Sequence, residues 1–362
     1  MALLFMDSFD HYATADITEK WSTSGTGAGG SISIGSGNGR RGTNGFRFLT
    51  GFSGGGVGFL QKALVPTDAT TCIMGFAVVI PAGAIGTVGG VIAVIKDSTT
   101  PQVTLKVNSD FTLTVLRGNQ IGTWLGQSSG SPMSAGVMAY VEWKVVIHPS
   151  AGTVEVRVNG NVVPGLNLTG QNTRASGFST WTSVVLGTND NVGSSWSGGN
   201  LNVDFDDVYV CDGSGSAPWN TFLGDCRVDA LRPTAEGTSS QWTPLSGTDN
   251  AAMVNQTAPD DDTTYVSTVT SGHTDTYVTP DAPVAGAAIM GVQLNVSIKK
   301  EDAGSCAVSG VVRHSGTNYP VVLPNPGTTY AYQTVMMPTN PGTGVAWTEA
   351  GFNAAEFGFT RL

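Results

Sequence analysis

Acidic residues are the first candidates for chemistry in this 362-residue chain. Glu142 and Glu155 fall on neighbouring alternating segments, and glycoside hydrolysis with retention needs two carboxylates about 5–5.5 Å apart. A single strand would offer such a pair as Glu-x-Asp-x-Glu, a spacing that none of the seven glutamates makes. Like charges placed directly opposite repel, so Glu142 and Glu155 are expected on a solvent face rather than in a catalytic pair. Asp204, Asp206 and Asp207 form an acidic strand end, with Asp204 and Asp206 on one face and Asp207 on the other. Clustered carboxylate oxygens suit a hard cation such as calcium. A solvated strand face with one aspartate accepting backbone N–H bonds is the simpler reading. Asp260, Asp261 and Asp262 follow Pro259 without the spacing of a calcium-binding loop, and aspartate is also an ordinary turn residue. Asp204, Asp206, Asp260 and Asp262 are therefore the metal candidates, with turn and surface chemistry as the competing account.

The other reactive types are dispersed. His11, His148, His273 and His314 make no HxH or HExxH pattern, so a zinc site has no motif behind it. Cys72, Cys211, Cys226 and Cys306 form no CxxC; four buried free thiols are expected, with a Cys211–Cys226 disulfide as the alternative. No Gly-x-Ser-x-Gly elbow leads into a helix. Gly35-Ser36-Gly37-Asn38-Gly39 lacks the lysine and the helix of a phosphate cradle. Trp124, Trp181 and Trp196 fall in or beside polar loops, where an indole either stacks on a sugar or partner or plugs the end of a fold. Trp143, in a regular run, is expected in the core. No catalytic or cofactor-binding residue is nominated.

The elements that carry these residues are strands. Trp143-Lys144-Val145-Val146-Ile147 and Val154-Glu155-Val156-Arg157-Val158 switch faces at every residue. Pro149-Ser150-Ala151-Gly152 lies between them, and Asn159-Gly160-Asn161 follows, which is hairpin chemistry. Further strands are expected at 57–64, 72–80, 91–96, 103–107, 111–117, 183–186 and 203–211. The short segments 3–6 and 17–22 are also read as strand-like. Residues 213–222 have linker composition. Beyond them, strands are expected at 226–231, 265–269, 274–278, 287–298, 305–314, 321–323 and 330–336, with 291–298 central in its sheet. A helical turn and a final strand close the chain. Helical periodicity is nearly absent, so the fold class is all-β: a sandwich at 1–212, a linker at 213–222 and a second, smaller β-sandwich at 223–362.

Composition narrows the function. Forty-nine glycines and 12% charged residues suit many short strands joined by loops. A net charge of −10 with only 17 Lys and Arg argues against nucleic-acid binding. No run of 18 apolar residues is present, so no membrane span is expected. The opening MALLFMDSFDHY lacks a basic start and breaks at Asp7, unlike a secretory signal. Its Leu3-Leu4-Phe5 carries too much apolar surface to leave in water, so 1–10 is expected to be buried.

Two resemblances add to this reading. The Trp143 strand, the Gly152 turn, the 154–158 strand with Asn159-Gly160, and Phe205-Asp206-Asp207-Val208-Tyr209-Val210 resemble the concanavalin A-like/laminin-G jelly roll over about the first 212 residues. The whole chain resembles tailed-bacteriophage virion proteins. The carrying residues are Met6-Asp7-Ser8-Phe9-Asp10-His11-Tyr12, Val228-Asp229-Ala230-Leu231-Arg232-Pro233, Gln241-Trp242-Thr243-Pro244, Pro259 to Val266, and the 340–348 and 355–358 segments. This resemblance implies a non-enzymatic virion structural protein, tail- or fibre-associated, that is assembled in the bacterial host cytoplasm. Its implied partners are other virion proteins, further copies of itself (a trimer foremost) and a host surface glycan. A capsid decoration or head-fibre protein without a receptor role, and a carbohydrate-active enzyme or free lectin, are the alternatives.

Overall fold

The computed structural model describes residues 2–27, 30–49, 58–188 and 201–362. Trp196 lies outside them. The chain divides into two compact units: Met1–Phe9 with Trp21–Val228, and Asp10–Lys20 with Asp229–Leu362.

The first unit holds β1 (Leu3–Asp7), β2 (Thr23–Thr26), β3 (Ser31–Ser36), β4 (Asn44–Leu49), β5 (Gly58–Ala63), β6 (Thr71–Val79), β7 (Gly90–Asp97), β8 (Thr100–Val107), β9 (Leu113–Arg117), β10 (Thr123–Gln127), β11 (Ala139–Val146), β12 (Gly152–Val158), β13 (Asn161–Gln171), β14 (Ser183–Thr188) and β15 (Asn202–Asp212). One antiparallel sheet runs β13-β12-β11-β6-β15-β4-β3, with β1 added to β15; the other runs β10-β9-β8-β7-β14-β5-β2. Their inner faces make the core. Trp143 lies between Val156 and Met74 in register and is fully buried. Phe46, Phe48, Phe76 and Phe205 form a ring cluster in the same core, with Phe48 stacked on Phe205 and Phe76 edge-on to it. Phe48 reaches across to the other sheet, where a Cβ on Gly58 or Gly187 would come within 3.1 or 3.0 Å of it.

The hairpin of β11 and β12 pairs Val146 with Thr153 and Trp143 with Val156, as the alternation predicts. Asn159 and Gly160 both have positive φ (50° and 77°), the signature of the type I′ turn. The opening segment is buried as its apolar surface requires: Leu3, Phe5 and Phe9 are at most 2% exposed.

Residues 213–228 form no strand and lie along the outer face of the β1-containing sheet. The Leu223 N–H bonds the Tyr209 hydroxyl, the Gly224 N–H bonds Glu142 and the Val228 N–H bonds Asp207. Side chains of the sheet thus take these backbone donors. That is why 226–228 belongs to the first unit and is not the strand expected there.

The second unit holds a five-stranded sheet in the order β16-β19-β24-β21-β22, built from β16 (Ala235–Ser240), β19 (Thr274–Val278), β21 (Val308–His314), β22 (Thr317–Val322) and β24 (Glu356–Arg361). Two ribbons accompany it: β17 (Thr243–Pro244) with β18 (Val266–Ser267), and β20 (Val292–Ile298) with β23 (Ala331–Met337). The 291–298 segment is therefore a ribbon strand, half-buried throughout, rather than a central one. Its apolar residues Val292, Leu294 and Val296 meet the clusters around Trp347, Phe352 and Phe357 and around Tyr277 and Phe359. Asp10–Lys20 covers this ribbon. It carries a short helix, α1 (Ile17–Lys20), where a strand was expected. The Tyr332 hydroxyl donates to the His11 carbonyl at 2.7 Å, and Ser297 bonds Glu19. A second helix, α2 (Glu349–Asn353), is capped by Thr348 just before the last strand.

Candidate functional site

The acidic strand end is an internal clamp. Asp204 takes a two-pronged bond from Arg47, Nε at 2.6 Å and Nη2 at 2.7 Å. Asp206 accepts from the Arg40 N–H at 2.7 Å and from Thr43. Asp207 has positive φ (51°) within a β-bulge between Asp206 and Tyr209. The bulge turns its carboxylate toward the same Arg40 turn, where it meets Arg40 Nη1 at 3.1 Å and Arg41 Nη2 at 2.8 Å. Simple alternation, which puts Asp207 on the opposite face from Asp206, fails for this reason.

Glu142 and Glu155 do not face each other. Glu142 is opposite Arg157, and Glu155 is opposite Lys144. Nor is Glu142 on a solvent face: it is 1% exposed beneath the 213–228 segment. Its Oε1 accepts from Tyr209 at 2.6 Å and from the Gly224 N–H at 2.8 Å. Its Oε2 is buried with no hydrogen-bond partner among the described residues. Arg40 also reaches this segment, gripping Asp225 at 2.7 and 3.1 Å and the Cys226 carbonyl. Arg157 lies over the Phe222 ring, 4.4 Å from its centroid.

In the second unit Asp260 is bonded to Thr264, while Asp262 pairs with Lys299 and accepts from Tyr330. Asp275, which the sequence did not single out, is the most heavily used carboxylate there. It is fully buried and takes the Gln241 and Trp242 N–H groups on one oxygen and Asn250 and Tyr277 on the other. The metal candidates Asp204, Asp206, Asp260 and Asp262 are thus each engaged by protein donors. Among the described residues no three His, Cys, Asp or Glu side chains group so as to hold a metal ion.

All four cysteines are free thiols. Burial pushes the Cys72 and Cys211 thiols well up, and it pushes Cys226, with help from the Glu142 charge, up to about 12.

The tryptophans separate cleanly. Trp181 is fully buried and donates its indole N–H to the Thr71 carbonyl at 2.8 Å. It plugs the sandwich and offers no surface to a glycan, which corrects its place among the contact candidates. Trp124 is 62% exposed on the edge strand β10. Register places it opposite Leu116, which is opposite Thr104 on β8. One step along, Gln127 is opposite Thr114, which is opposite Lys106. A bulge between Trp124 and Gly126 makes these two rows share a face, although Trp124 and Gln127 are three residues apart.

The corner formed by β8, β9 and β10 therefore gathers an exposed indole, an amide and an ammonium. Its polar groups are held in place. Gln127 Nε2 bonds Thr112 Oγ1 at 3.2 Å, and Asn108 Nδ2 bonds Thr112 and Thr114 at 2.9 and 2.8 Å. Burial lowers the Lys106 pKa from its ordinary value. An indole face beside fixed hydrogen-bonding groups can stack on a sugar ring and bond its hydroxyls. Lys106 and Gln127 were not singled out in the sequence. A bulge leaves no composition signal, and Lys106 sits in an unremarkable strand.

The solved structures similar to this chain share its β-sandwich. Cellulose induced protein, Cip1, is 18% identical with a TM-score of 0.40, covering 53% of this chain and 91% of that one. The endo-β-1,4-glucuronan lyase of the fungus Trichoderma reesei is 14% identical with a TM-score of 0.39, covering 57% and 94%. The alginate lyase vAL-1 from Chlorella virus is 13% identical with a TM-score of 0.38, covering 55% and 95%. The first unit is, by its own strand order, a sandwich of two large antiparallel sheets. The likeness extends to the fold alone. No protein-family model matches the sequence, and no curated protein matches it.

Proposed function

We propose that this chain is a non-enzymatic structural protein of a tailed-bacteriophage virion, tail- or fibre-associated, that displays the Trp124 corner to a host-surface glycan. The carrying observation is Trp124 itself: a large indole, 62% exposed, on a hydrogen-bonded strand beside Gln127 and Lys106. Leaving that much aromatic surface in water has a cost that stacking on a ligand removes. The carboxylates favour a scaffold over a hydrolase, because Glu142, Asp204, Asp206 and Asp207 hold the chain's own loops and turns. The virion setting rests on the sequence segments at 228–233, 241–244, 259–266 and 340–348. Symmetric positions on a particle call for several copies, and three is the expected number.

Immunogold labelling and mass spectrometry of purified particles test the setting. Label on the tail or fibres is the expected result, label on the head would move the protein to capsid decoration, and absence from the particle would overturn the reading. Release of reducing ends from host polysaccharide by the purified protein would overturn its non-enzymatic character.

A further inference from the structure

The side of the first unit around Trp124 is built from two stretches without charge, in a chain that is 12% charged. Residues 118–141 and 158–173 hold no Asp, Glu, Lys, Arg or His. The fold brings them together, because β10 is an edge of one sheet and β13 an edge of the other. The Ser129 N–H bonds the Pro164 carbonyl at 2.9 Å, and a Cβ on Gly126 would stand 2.8 Å from the Leu168 side chain. Apolar and amide groups are exposed here: Ile121, Trp124 and Val162 with Gln127, Asn161 and Asn167. The charges that border this side are already engaged. Arg117 donates to the Thr123 hydroxyl at 2.9 Å, Glu155 pairs with Arg157 at 2.7 Å, and Lys106 is half-buried with an interaction of its own.

We propose that the ligand of the Trp124 site is a neutral glycan, with a pyranose ring stacked on the indole and its hydroxyls met by the Gln127 amide. The inference rests on the glycan reading of this site and adds the chemical class. An anionic glycan approaches a protein of net charge −10 against its field. Its carboxylates would also lose water at a surface whose bordering cations are taken. A cationic glycan would find no carboxylate in either stretch to hold it at Trp124. A neutral pyranose offers an apolar C–H face to the indole and hydroxyls that both donate and accept. An amide matches them with two N–H donors and a carbonyl, and Gln127 uses one donor on Thr112 at 3.2 Å. A second copy of this chain is the competing occupant of a charge-free side. A dry protein interface would have to find a partner for each of Gln127, Asn161 and Asn167, whereas sugar hydroxyls supply them.

The test uses the full-length protein and three β-1,4-linked tetrasaccharides, of glucose, glucuronic acid and glucosamine. Their rings match while their charges are zero, negative and positive. Neutral tetrasaccharides of galactose, mannose and N-acetylglucosamine widen the neutral set. Calorimetric titration should show at least one neutral probe binding, with an affinity that salt changes by less than about twofold. The charged probes should bind at least about tenfold more weakly, the effect of one uncompensated charge. Trp124→Ala should abolish binding and Gln127→Ala should weaken it by about tenfold. Thermal melts of each variant separate loss of binding from loss of fold. Tighter binding of a charged probe than of every neutral one, or an affinity that falls steeply with salt, would overturn the neutral class while leaving the glycan reading standing. Silence of all the probes would overturn the glycan reading itself, whatever the particle labelling shows. Self-association in sedimentation that Trp124→Ala abolishes would give this side to a second copy and overturn the proposal.

Discussion

Tyr209 donates its hydroxyl to Glu142 at 2.6 Å, spanning β6 at Gly75, the residue opposite both of them. A Cβ on Gly75 would stand 2.0 Å from the Tyr209 ring. The glycine is therefore required by the close approach of an aromatic ring. Gly75→Ala should cost about 1–3 kcal/mol as an overpacking change. Combined with Tyr209→Ala, which removes the clashing ring, it should add little to the cost of Tyr209→Ala alone. Urea denaturation of the two single variants and the double variant measures this, and simple additivity would show that the clash is not the cause.

Trp181 and Trp124 should respond in opposite ways. Trp181→Ala empties a fully buried site and strands the Thr71 carbonyl, so a loss of about 3–5 kcal/mol is expected. Trp124→Ala removes a side chain that is mostly in water and should change stability by less than about 0.5 kcal/mol. Melting temperatures of the two variants check the contrast, and equal losses would contradict the burial difference.

The first unit's thiols should be silent in the native state. The thiolate is the reactive form, and with its pKa pushed up to about 12 Cys226 is ionised to roughly one part in ten thousand at pH 8. Cys72 and Cys211 are raised well above their ordinary value by burial. Alkylation at pH 8 followed by mass spectrometry should leave all three unmodified until denaturant is added.

Glu356 should make the protein acid-sensitive. Burial pushes its carboxyl up, but the Thr238 hydroxyl and N–H, the Thr276 hydroxyl and the charge of Arg313 outweigh it, so the pKa is lowered from 4.5. A depressed folded-state pKa gives stability that is present above the unfolded value and lost as pH falls through the folded one. Urea midpoints should therefore drop between about pH 5 and pH 3, and Glu356→Gln should flatten that drop. An unchanged slope would remove Glu356 from the account.

Local patterns were legible in the sequence because they depend on near neighbours. The alternation at 143–147 and 154–158 specifies the β11–β12 hairpin, and the Asn159-Gly160 turn specifies the next one, β12 to β13. Residues 17–22 and 226–231 were read as strands and are not. Their backbones are satisfied by a helical turn in one case and by side chains such as Asp207 in the other. The Trp124 corner was half legible: the indole stands out in the sequence, but its neighbours Gln127 and Lys106 reach it only through a bulge and cross-strand register. Glu142 was placed in solvent because nothing in its own strand announces a covering segment some 80 residues later.

The Asp10–Lys20 excursion has a consequence for synthesis. Its site on the ribbon includes Tyr332, which lies 321 residues after His11. At roughly 5–20 residues per second, the ribosome delivers the cover of the second unit well before the surface that receives it. Tyr12 and Ile17, buried in the finished protein, must wait in the open until nearly the whole chain has emerged. The second unit thus matures last, using a piece that was translated first, and a fragment beginning at Asp229 would be born without it.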